Sequence, residues 1–352
     1  MSAPARGEDV ARRQEGTASA PVLAVDRLGV SFAGAGRRIA VVEDLTFSVR
    51  RGETLAIVGE SGCGKSVTAL ALTRLLPRTA RIDGHVAFEG QDLAALPEKR
   101  MRAVRGNRLA IIFQDPMAAL NPVMTIGAQL AEAIRAHEAV DAKAARARAE
   151  ELLELVRIPQ ARHRLDEYPH RLSGGMRQRV VIAMALASNP SLLIADEPTT
   201  ALDVTIQAQI LALLKRLQEE LGMALVLITH DLGVVAENAD RVLVMYAGRQ
   251  VEQQEVTGLF DRPLHPYTRR LMQARPHFTP GAAGERGRLQ EIPGIVPAPG
   301  SGQGGCAFHA RCDIATDVCR AARPLLLPFG AQASAACHQL RGDGVHLTGA
   351  LP

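Results

Sequence analysis

The sequence feature that most constrains the fold is a glycine-rich stretch that reads Gly59, Glu60, Ser61, Gly62, Cys63, Gly64, Lys65 and Ser66. An apolar run of strand length, 54–58, precedes it, and the largely apolar run 67–76 that follows lacks Gly and Pro, which favours a helix. A strand, a glycine-rich turn and a helix in this order let backbone N–H groups surround an anion at the helix N-terminus. The stretch therefore predicts an α/β core with a phosphate-binding loop, rather than a turn that only connects two elements.

This loop predicts a site for ATP and Mg²⁺, with nucleotide contacts from all eight of its residues. Lys65 is expected to reach the β- and γ-phosphates, and the Ser66 hydroxyl is expected to bind Mg²⁺. Cys63 lies inside the loop, where its side chain can point away from the nucleotide.

Composition limits the classes of function. The chain has 352 residues, 47% of them hydrophobic, and no window approaches 18 consecutive apolar residues, so we predict one large α/β domain with smaller appendages and no membrane span. A net charge of +4 with three Tyr, no Trp and eight Phe gives little support for a base-stacking surface, so no nucleic-acid partner is expected. Residues 1–21 are interpreted as a disordered tail that is neither a secretory signal nor an anchor.

The pattern along the rest of the chain predicts a body with two lobes and an appendage. Alternating residues indicate antiparallel strands, the Ala-, Glu- and Arg-rich stretch at about 115–185 indicates a helical subdomain, and residues 206–221 carry one apolar stripe of a long helix. Beyond Pro276 the composition changes to Gly, Pro and Ala, so residues 22–276 are assigned to the nucleotide domain and 277–352 to a separate appendage. The predicted strands are 22–30, 41–49, 109–113, 192–195, 224–228 and 242–245.

Polar residues that follow three of these strands are the candidates for catalysis. Asp196 ends a buried apolar strand, so we expect it to meet Mg²⁺ through water, and Glu197 is expected to be the catalytic base or to position the attacking water. His230 could contact the γ-phosphate and orient that water, and Gln114 could bind Mg²⁺ and sense the γ-phosphate. A carboxylate cap on the strand and a structural histidine are the plainer interpretations.

An aromatic residue near the loop is a further candidate for the nucleotide site. Phe32 precedes the turn 33–38 and could stack on adenine, although a Phe in an alternating strand is also typical of a core.

The nucleotide motifs occur together with a second glycine-rich turn, Leu172 to Met176, and with the run that ends in Glu197. This combination resembles the ATP-binding subunit of an ABC transporter over roughly residues 22–276. The resemblance implies an ABC-type nucleotide-binding fold with a phosphate-loop core, an antiparallel β subdomain and a helical subdomain. It also implies that the turn caps the γ-phosphate bound to an opposite subunit, so that hydrolysis needs a dimer. The turn that would do so contains Ser173, Gly174 and Gly175. The residues that carry the resemblance are the phosphate loop, Gln114, 172–178, 192–197, Asp203 and His230, and Asp203 is implied to contact the nucleotide.

Further stretches are similar to the oligopeptide and dipeptide importer ATPases, namely 113–117, 120–122, 194–204 and 265–268 with Pro276. Met117, Met176 and Thr199–Thr200 resemble the D subunit of these importers. The resemblance implies a heterodimer with an F-type ATPase subunit, two transmembrane permease subunits and an extracytoplasmic peptide-binding protein. It places the chain at the cytoplasmic face of the inner membrane. Import of nickel or oligosaccharide, a soluble ABC ATPase acting on nucleic acid or the ribosome, and an inactive regulator are the alternatives.

Four cysteines fall in the appendage, and their clustering in an intracellular chain favours a metal site. Their spacing lacks paired C-x₂-C units, so an iron–sulfur cluster is preferred to zinc or free thiols. The stretch 306–312 also resembles the C-terminal cysteine region of the peptide importers, which implies a [4Fe–4S] cluster. His309 and His338 would be ligands only of zinc. The predicted cluster ligands are Cys306, Cys312, Cys319 and Cys337.

Overall fold

The computed structural model describes residues 20–34, 36–200, 202–274, 292–301 and 304–340. The predicted tail, apart from its last two residues, and the predicted domain boundary near Pro276 lie outside these ranges. Among the described helices, none combines the length and the apolar character needed to cross a bilayer.

The strands form two sheets, one of order β2-β1-β4-β5 and one of order β11-β12-β10-β9-β3-β8-β7-β6. In chain order they are β1 Leu23–Ala33, β2 Arg38–Val49, β3 Thr54–Val58, β4 Ala80–Phe88, β5 Gln91–Asp92, β6 Leu109–Ile112, β7 Leu192–Asp196, β8 Ala224–Thr229, β9 Arg241–Tyr246, β10 Arg249–Glu255, β11 Leu327–Phe329 and β12 Ala333–Ala335.

The helices cover the larger sheet and form a cluster beside it. They are α1 Lys65–Leu72, α2 Glu98–Val104, α3 Pro116–Ala119, α4 Ile126–Arg135, α5 Ala142–Leu155, α6 Ala161–Arg164, α7 Gly174–Ala185, α8 Val204–Leu221, α9 Leu232–Asn238, α10 Val256–Asp261, α11 Pro266–Gln273 and α12 Asp317–Ala321, with 3₁₀ turns at Pro169–Arg171 and His309–Arg311.

The smaller sheet is antiparallel throughout, with β1 paired to both β2 and β4. Leu45, Phe47 and Val49 of β2 are buried while Thr46 between them is exposed, as their alternation predicts. This sheet packs its apolar face against β3 and α1, so it lies beside the glycine-rich loop.

The larger sheet has a parallel centre in which β3, β8, β7 and β6 are neighbours. Parallel strands bring their carboxyl ends to one edge, so the loop after β3 and the residues that follow β6, β7 and β8 meet there. Every residue of β3, β7 and β8 is buried, which explains their continuous apolar sequences.

The helices α4, α5 and α7 form most of a second core, built from Leu130, Ile134, Leu152 and Ile182. Helix α8 also contributes to this core through the buried side chains of its apolar stripe. The cluster therefore packs directly on the parallel strands.

The C-terminal residues return to the larger sheet. Strand β12 pairs antiparallel with β10, where Glu252 lies opposite Ala335 and Gln253 opposite Ser334. We call residues 292–301 and 304–340 the C-terminal module. Its Phe308 joins Tyr246 of β9 and Tyr267 of α11 in a third core, so the module packs against these elements.

Candidate nucleotide-binding site

The glycine-rich stretch forms a loop between β3 and α1, as its sequence predicts. Gly64 precedes α1 with a φ of 101°, a conformation that side chains other than glycine rarely adopt. The Lys65 side chain is buried, and its Nζ donates hydrogen bonds to the carbonyl oxygens of Gly59 at 2.8 Å and Glu60 at 3.3 Å. The loop is thus closed around its own lysine at the N-terminus of a helix.

Asp196 ends β7 beside this loop, with 6% of its surface exposed. The Ser66 hydroxyl hydrogen-bonds to its carboxylate, while the carboxylate oxygen Oδ1 is buried without a hydrogen-bond partner. Burial raises the pKa of Asp196, and the Ser66 hydrogen bond partly opposes this rise. A buried carboxylate oxygen that lacks a partner next to a hydroxyl fits the oxygen ligands that Mg²⁺ prefers.

Three side chains converge on Glu197, which directly follows β7. Gln114 Nε2 donates to its Oε2 at 3.2 Å, and Thr200 Oγ1 donates to the same oxygen at 2.9 Å. His230 Nδ1 lies 3.4 Å from the other oxygen, Oε1. Glu197 itself has a φ of 45°, and its N–H donates to Ile228 at 2.9 Å, so the backbone turns sharply where the carboxylate leaves the strand.

These groups border one cleft of about 460 Å³. The side chains that follow β6, β7 and β8 face the phosphate loop across it, which puts candidate bases opposite candidate phosphate ligands. The residues lining the cleft are Val41, Ser61, Gly62, Gly64, Lys65, Ser66, Val67, Gln114, Glu197 and His230.

The second glycine-rich turn begins α7 and does not line this cleft. Ser173 is the N-cap residue, and its Oγ accepts a hydrogen bond from the Met176 N–H at 3.3 Å. Ser173 and Gly174 are exposed, while a side chain at Gly175 would come within 2.7 Å of Ile206. The turn therefore presents an exposed helix N-terminus in which a side chain at Gly175 would crowd Ile206.

Comparison with known proteins gives two family matches and close relatives. Residues 42–200 match the family model described as ABC transporter, and residues 251–319 match the model described as oligopeptide/dipeptide transporter, C-terminal region. A peptide ABC transporter ATP-binding protein of Sinorhizobium fredii is 54% identical over 90% of this chain and 94% of its own length. The dipeptide transport ATP-binding protein DppD of Escherichia coli is 48% identical over 90% of this chain and 96% of its own length. The chain belongs to the ABC transporter family, as a peptide-type ATP-binding protein.

Solved structures agree with this membership. A dimeric ATP-binding cassette in a post-hydrolysis state, bound to ADP and Pi, superposes with a TM-score of 0.60 at 27% identity and covers 66% of this chain and 98% of that one. The predicted ABC fold and ATPase class are thereby confirmed. The peptide names of the relatives do not favour nickel, oligosaccharide or nucleic acid as the cargo or target.

Two residues that were predicted to contact the nucleotide, Asp203 and Phe32, do not line the cleft. The Asp203 carboxylate caps α8, where its Oδ1 accepts from the Ile206 N–H at 2.9 Å. Phe32 lies near the end of β1, half-buried against the core beneath the smaller sheet, and does not line the cleft. Its stacking on adenine stays a prediction. The Cys63 side chain is fully buried in the same core, so its contribution to the loop is made by its backbone.

The prediction of an iron–sulfur cluster is wrong. Within the described part of the chain, which includes all four cysteines of the module, no group of three or more His, Cys, Asp or Glu side chains could hold a metal ion. The same finding argues against the alternative of a zinc site at these cysteines. Burial raises the pKa of Cys312 to about 11 and that of Cys337 to about 12, so these thiols are protonated at neutral pH in the absence of a metal. The four residues that were predicted as cluster ligands are free thiols, namely Cys306, Cys312, Cys319 and Cys337.

Sequence reasoning missed three residues of this site. Thr200 follows the two carboxylates in a recognisable motif, and its spacing of three residues from Glu197 could have indicated the hydrogen bond. Tyr267 and Arg311 both bind Glu60 of the phosphate loop, and nothing in their spacing indicated it. His265, Pro266, Tyr267 and Thr268 had been noted only as a family resemblance.

Proposed function

We propose that this chain is the ATP-hydrolysing subunit of a transporter that imports peptides. The observation that carries the proposal is the convergence of Gln114, Glu197 and His230 on one cleft with the phosphate loop. The peptide-import names of its relatives and the match of residues 251–319 to the peptide-transporter C-terminal region support the cargo class.

The loop binds the phosphates of ATP. Its backbone N–H groups and the N-terminus of α1 attract the anion, and Lys65 exchanges its carbonyl partners for the β- and γ-phosphates. Ser66, Asp196 and Gln114 would hold Mg²⁺, and the ion would neutralise charge on the phosphates. The partnerless Oδ1 of Asp196 is the acceptor that this arrangement uses.

Hydrolysis proceeds by attack of water on the γ-phosphate. Glu197 accepts a proton from that water, and its carboxylate is oriented for this by the hydrogen bonds from Gln114 and Thr200. His230, whose side chain is 65% exposed, contacts the γ-phosphate and holds the water from the other side. The bond from the γ-phosphorus to the bridging oxygen breaks, which leaves ADP and phosphate.

A second cassette completes the site. The N-terminus of α7 carries Ser173, Gly174 and Gly175, which lie outside the cleft of their own chain and are shaped to meet an anion on another one. The related cassette reported above was solved as a dimer. Within this proposal the partner is an F-type ATPase subunit, and two bound ATP molecules close the heterodimer.

The permease subunits dock in an apolar groove of about 590 Å³ between β6 and the helical cluster. Leu75, Ala133 and Met184 line it, and Phe113, which is 40% exposed, lies next to Gln114 at its edge. A cytoplasmic helix from one of the two transmembrane permeases fits this groove, and the second cassette receives the other, so movement of Gln114 on ATP binding reaches the permease. The assembly sits at the cytoplasmic face of the inner membrane, and an extracytoplasmic binding protein delivers the peptide.

Peptide uptake tests the proposal. A strain without this chain is expected to lose uptake of a radiolabelled dipeptide or tripeptide, and the wild-type chain is expected to restore it. The Glu197→Gln variant should restore none. Purification of the tagged chain from detergent-solubilised membranes should yield two permeases and a second cassette; undiminished peptide uptake in the deletion strain would contradict the cargo.

A further inference from the structure

The phosphate loop is attached to the C-terminal module through Glu60. Arg311 of the module donates from Nη1 to Glu60 Oε2 at 2.7 Å and from Nη2 to Oε1 at 2.9 Å. Paired, parallel bonds of this kind are the strongest geometry between a guanidinium and a carboxylate. The ion pair is shielded from water, since the exposed fractions of the two side chains are 5% for Arg311 and 25% for Glu60.

Arg311 is itself held firmly. Its Nη2 and Nε donate to the carbonyl oxygens of Ile292 and Pro293, both at 2.9 Å. The guanidinium lies 5.8 Å from the centre of the Tyr246 ring and 6.0 Å from that of Phe308. A side chain fixed at several atoms loses little freedom when it binds Glu60, so the pair acts as a rigid attachment.

A second contact reaches the backbone of the same residue. The Glu60 N–H donates to the Tyr267 hydroxyl at 2.9 Å, and Tyr267 is fully buried. Its helix α11 starts at a cap in which the Tyr267 N–H donates to His265 Nδ1 at 3.0 Å. Buried Glu252 accepts the N–H groups of Leu264 and His265, each at 2.8 Å. The His-Pro-Tyr-Thr motif thus supports a hydroxyl beneath the loop.

The negative charge of Glu60 explains why these contacts are important for binding of phosphate. An anion-binding loop that carries a carboxylate would repel phosphate, and a free backbone at residue 60 could turn its N–H away from its present direction. Arg311 neutralises the carboxylate and holds it toward the module, while Tyr267 fixes the peptide between Gly59 and Glu60. The carbonyl of that peptide, which belongs to Gly59, accepts a hydrogen bond from Lys65 at 2.8 Å.

We propose that Arg311 of the C-terminal module and Tyr267 of α11 are positioning residues for ATP, which together hold the phosphate loop in its binding shape. This inference rests on the proposed function of the loop as the ATP site. The two residues act through Glu60 and do not touch the nucleotide themselves.

The test is equilibrium binding of the ATP analogue AMP-PNP with Mg²⁺ to the full-length chain, together with ATPase kinetics of the assembled transporter. Arg311→Gln leaves a carboxylate without its partner in the loop, so we expect affinity to fall about tenfold or more and KM to rise equally, with kcat within about twofold. Tyr267→Phe removes only the hydroxyl and should weaken binding about threefold.

Matched variants separate positioning from general damage. Arg311→Lys keeps the charge without the paired bonds and should lie between wild type and Arg311→Gln. The double variant Glu60→Gln, Arg311→Gln removes both charges and should recover most of the affinity. Arg270→Gln breaks another ion pair of the module, with Asp313 at 3.1 Å, and should leave binding unchanged.

Each outcome decides the inference. Wild-type affinity in Arg311→Gln and Tyr267→Phe overturns it, as does an equal loss in Arg270→Gln or a double variant that recovers nothing. If Arg311→Gln does not fold, Arg311→Lys and Tyr267→Phe decide by the same affinities. A wild-type chain that binds no AMP-PNP overturns both the ATP site and this inference, whereas wild-type binding with unaffected variants overturns only the inference.

Discussion

The phosphate-loop side and the α7 side of this molecule both present a glycine-rich turn at a helix N-terminus, yet their surroundings differ. Across the cleft from the loop, Gln114, Thr200 and His230 all reach Glu197 within 3.4 Å. At α7 the Ser173 hydroxyl is occupied by its own helix, and the turn faces outward. One side brings several polar side chains together within the chain, whereas the other is a single exposed helix N-terminus, which we propose meets a phosphate bound to a second cassette.

Loss of the Glu197 carboxylate tests the phosphate-loop side, and we expect it to have the largest effect on ATP turnover. Glu197→Gln keeps the shape of the site but cannot take a proton, so we expect turnover to fall about 100-fold or more while AMP-PNP binding is retained. Phosphate release and nucleotide binding are the measurements. The exposed Glu138→Gln serves as the matched control, and turnover near wild type in Glu197→Gln would refute the role of this residue.

The α7 side is tested by Ser173→Asp. Aspartate caps helices as well as serine does, so α7 should remain intact, but its negative charge opposes an incoming phosphate. We expect ATP hydrolysis by the assembled transporter to fall about tenfold or more, with nucleotide affinity of the isolated chain unchanged. Thr125→Asp places an aspartate at the corresponding cap position of α4 and should leave hydrolysis unchanged. Equal activity of the two variants would contradict the proposal that the N-terminus of α7 takes part in the site.

Thr200→Val tests whether the hydrogen bond from Thr200 to Glu197 supports catalysis on the phosphate-loop side. The variant removes one of the hydrogen bonds that orient the Glu197 carboxylate while preserving side-chain shape, so kcat should fall about threefold with KM nearly constant. Thr200→Ser retains the hydroxyl and should stay close to wild type. A change confined to KM would mean that Thr200 acts on binding instead.

The smallest effect is expected at Asp203, which caps α8 on the α7 side. Asp203→Ala should lower the free energy of unfolding by about 1 kcal/mol because the Ile206 N–H loses its acceptor. Thermal or denaturant unfolding of the isolated chain measures this loss. Asp203→Ser preserves a cap and should be less affected; an Ala variant as stable as wild type would show that the cap contributes little.

Local features of this fold could be predicted from sequence because short-range chemistry determines them. The apolar run 54–58, the glycines and Lys65 predict strand, loop and helix in order, and the alternation at Leu45 and Phe47 predicts a strand with one buried face. The polar residues after three apolar strands converge because parallel strands share an edge.

Long-range contacts could not be predicted in this way. Glu60 and Arg311 are 251 residues apart, and neither has a local pattern that depends on the other. The cysteines show the opposite failure, since their clustering in the sequence suggested a common ligand set, but no metal-binding group is found among the described residues. Residue type and spacing describe which groups are available, whereas the fold decides the direction in which each points.

The pairing of β12 with β10 sets a limit on how this protein can be divided. The two stretches that match family models, 42–200 and 251–319, look like exchangeable parts, but the second begins within a strand of the central sheet and ends before β12. A chain shortened after Gln273 would leave the backbone of β10 open along one edge, and an open edge invites pairing with other copies and aggregation. Chimeras between relatives should therefore exchange β10 and β12 together.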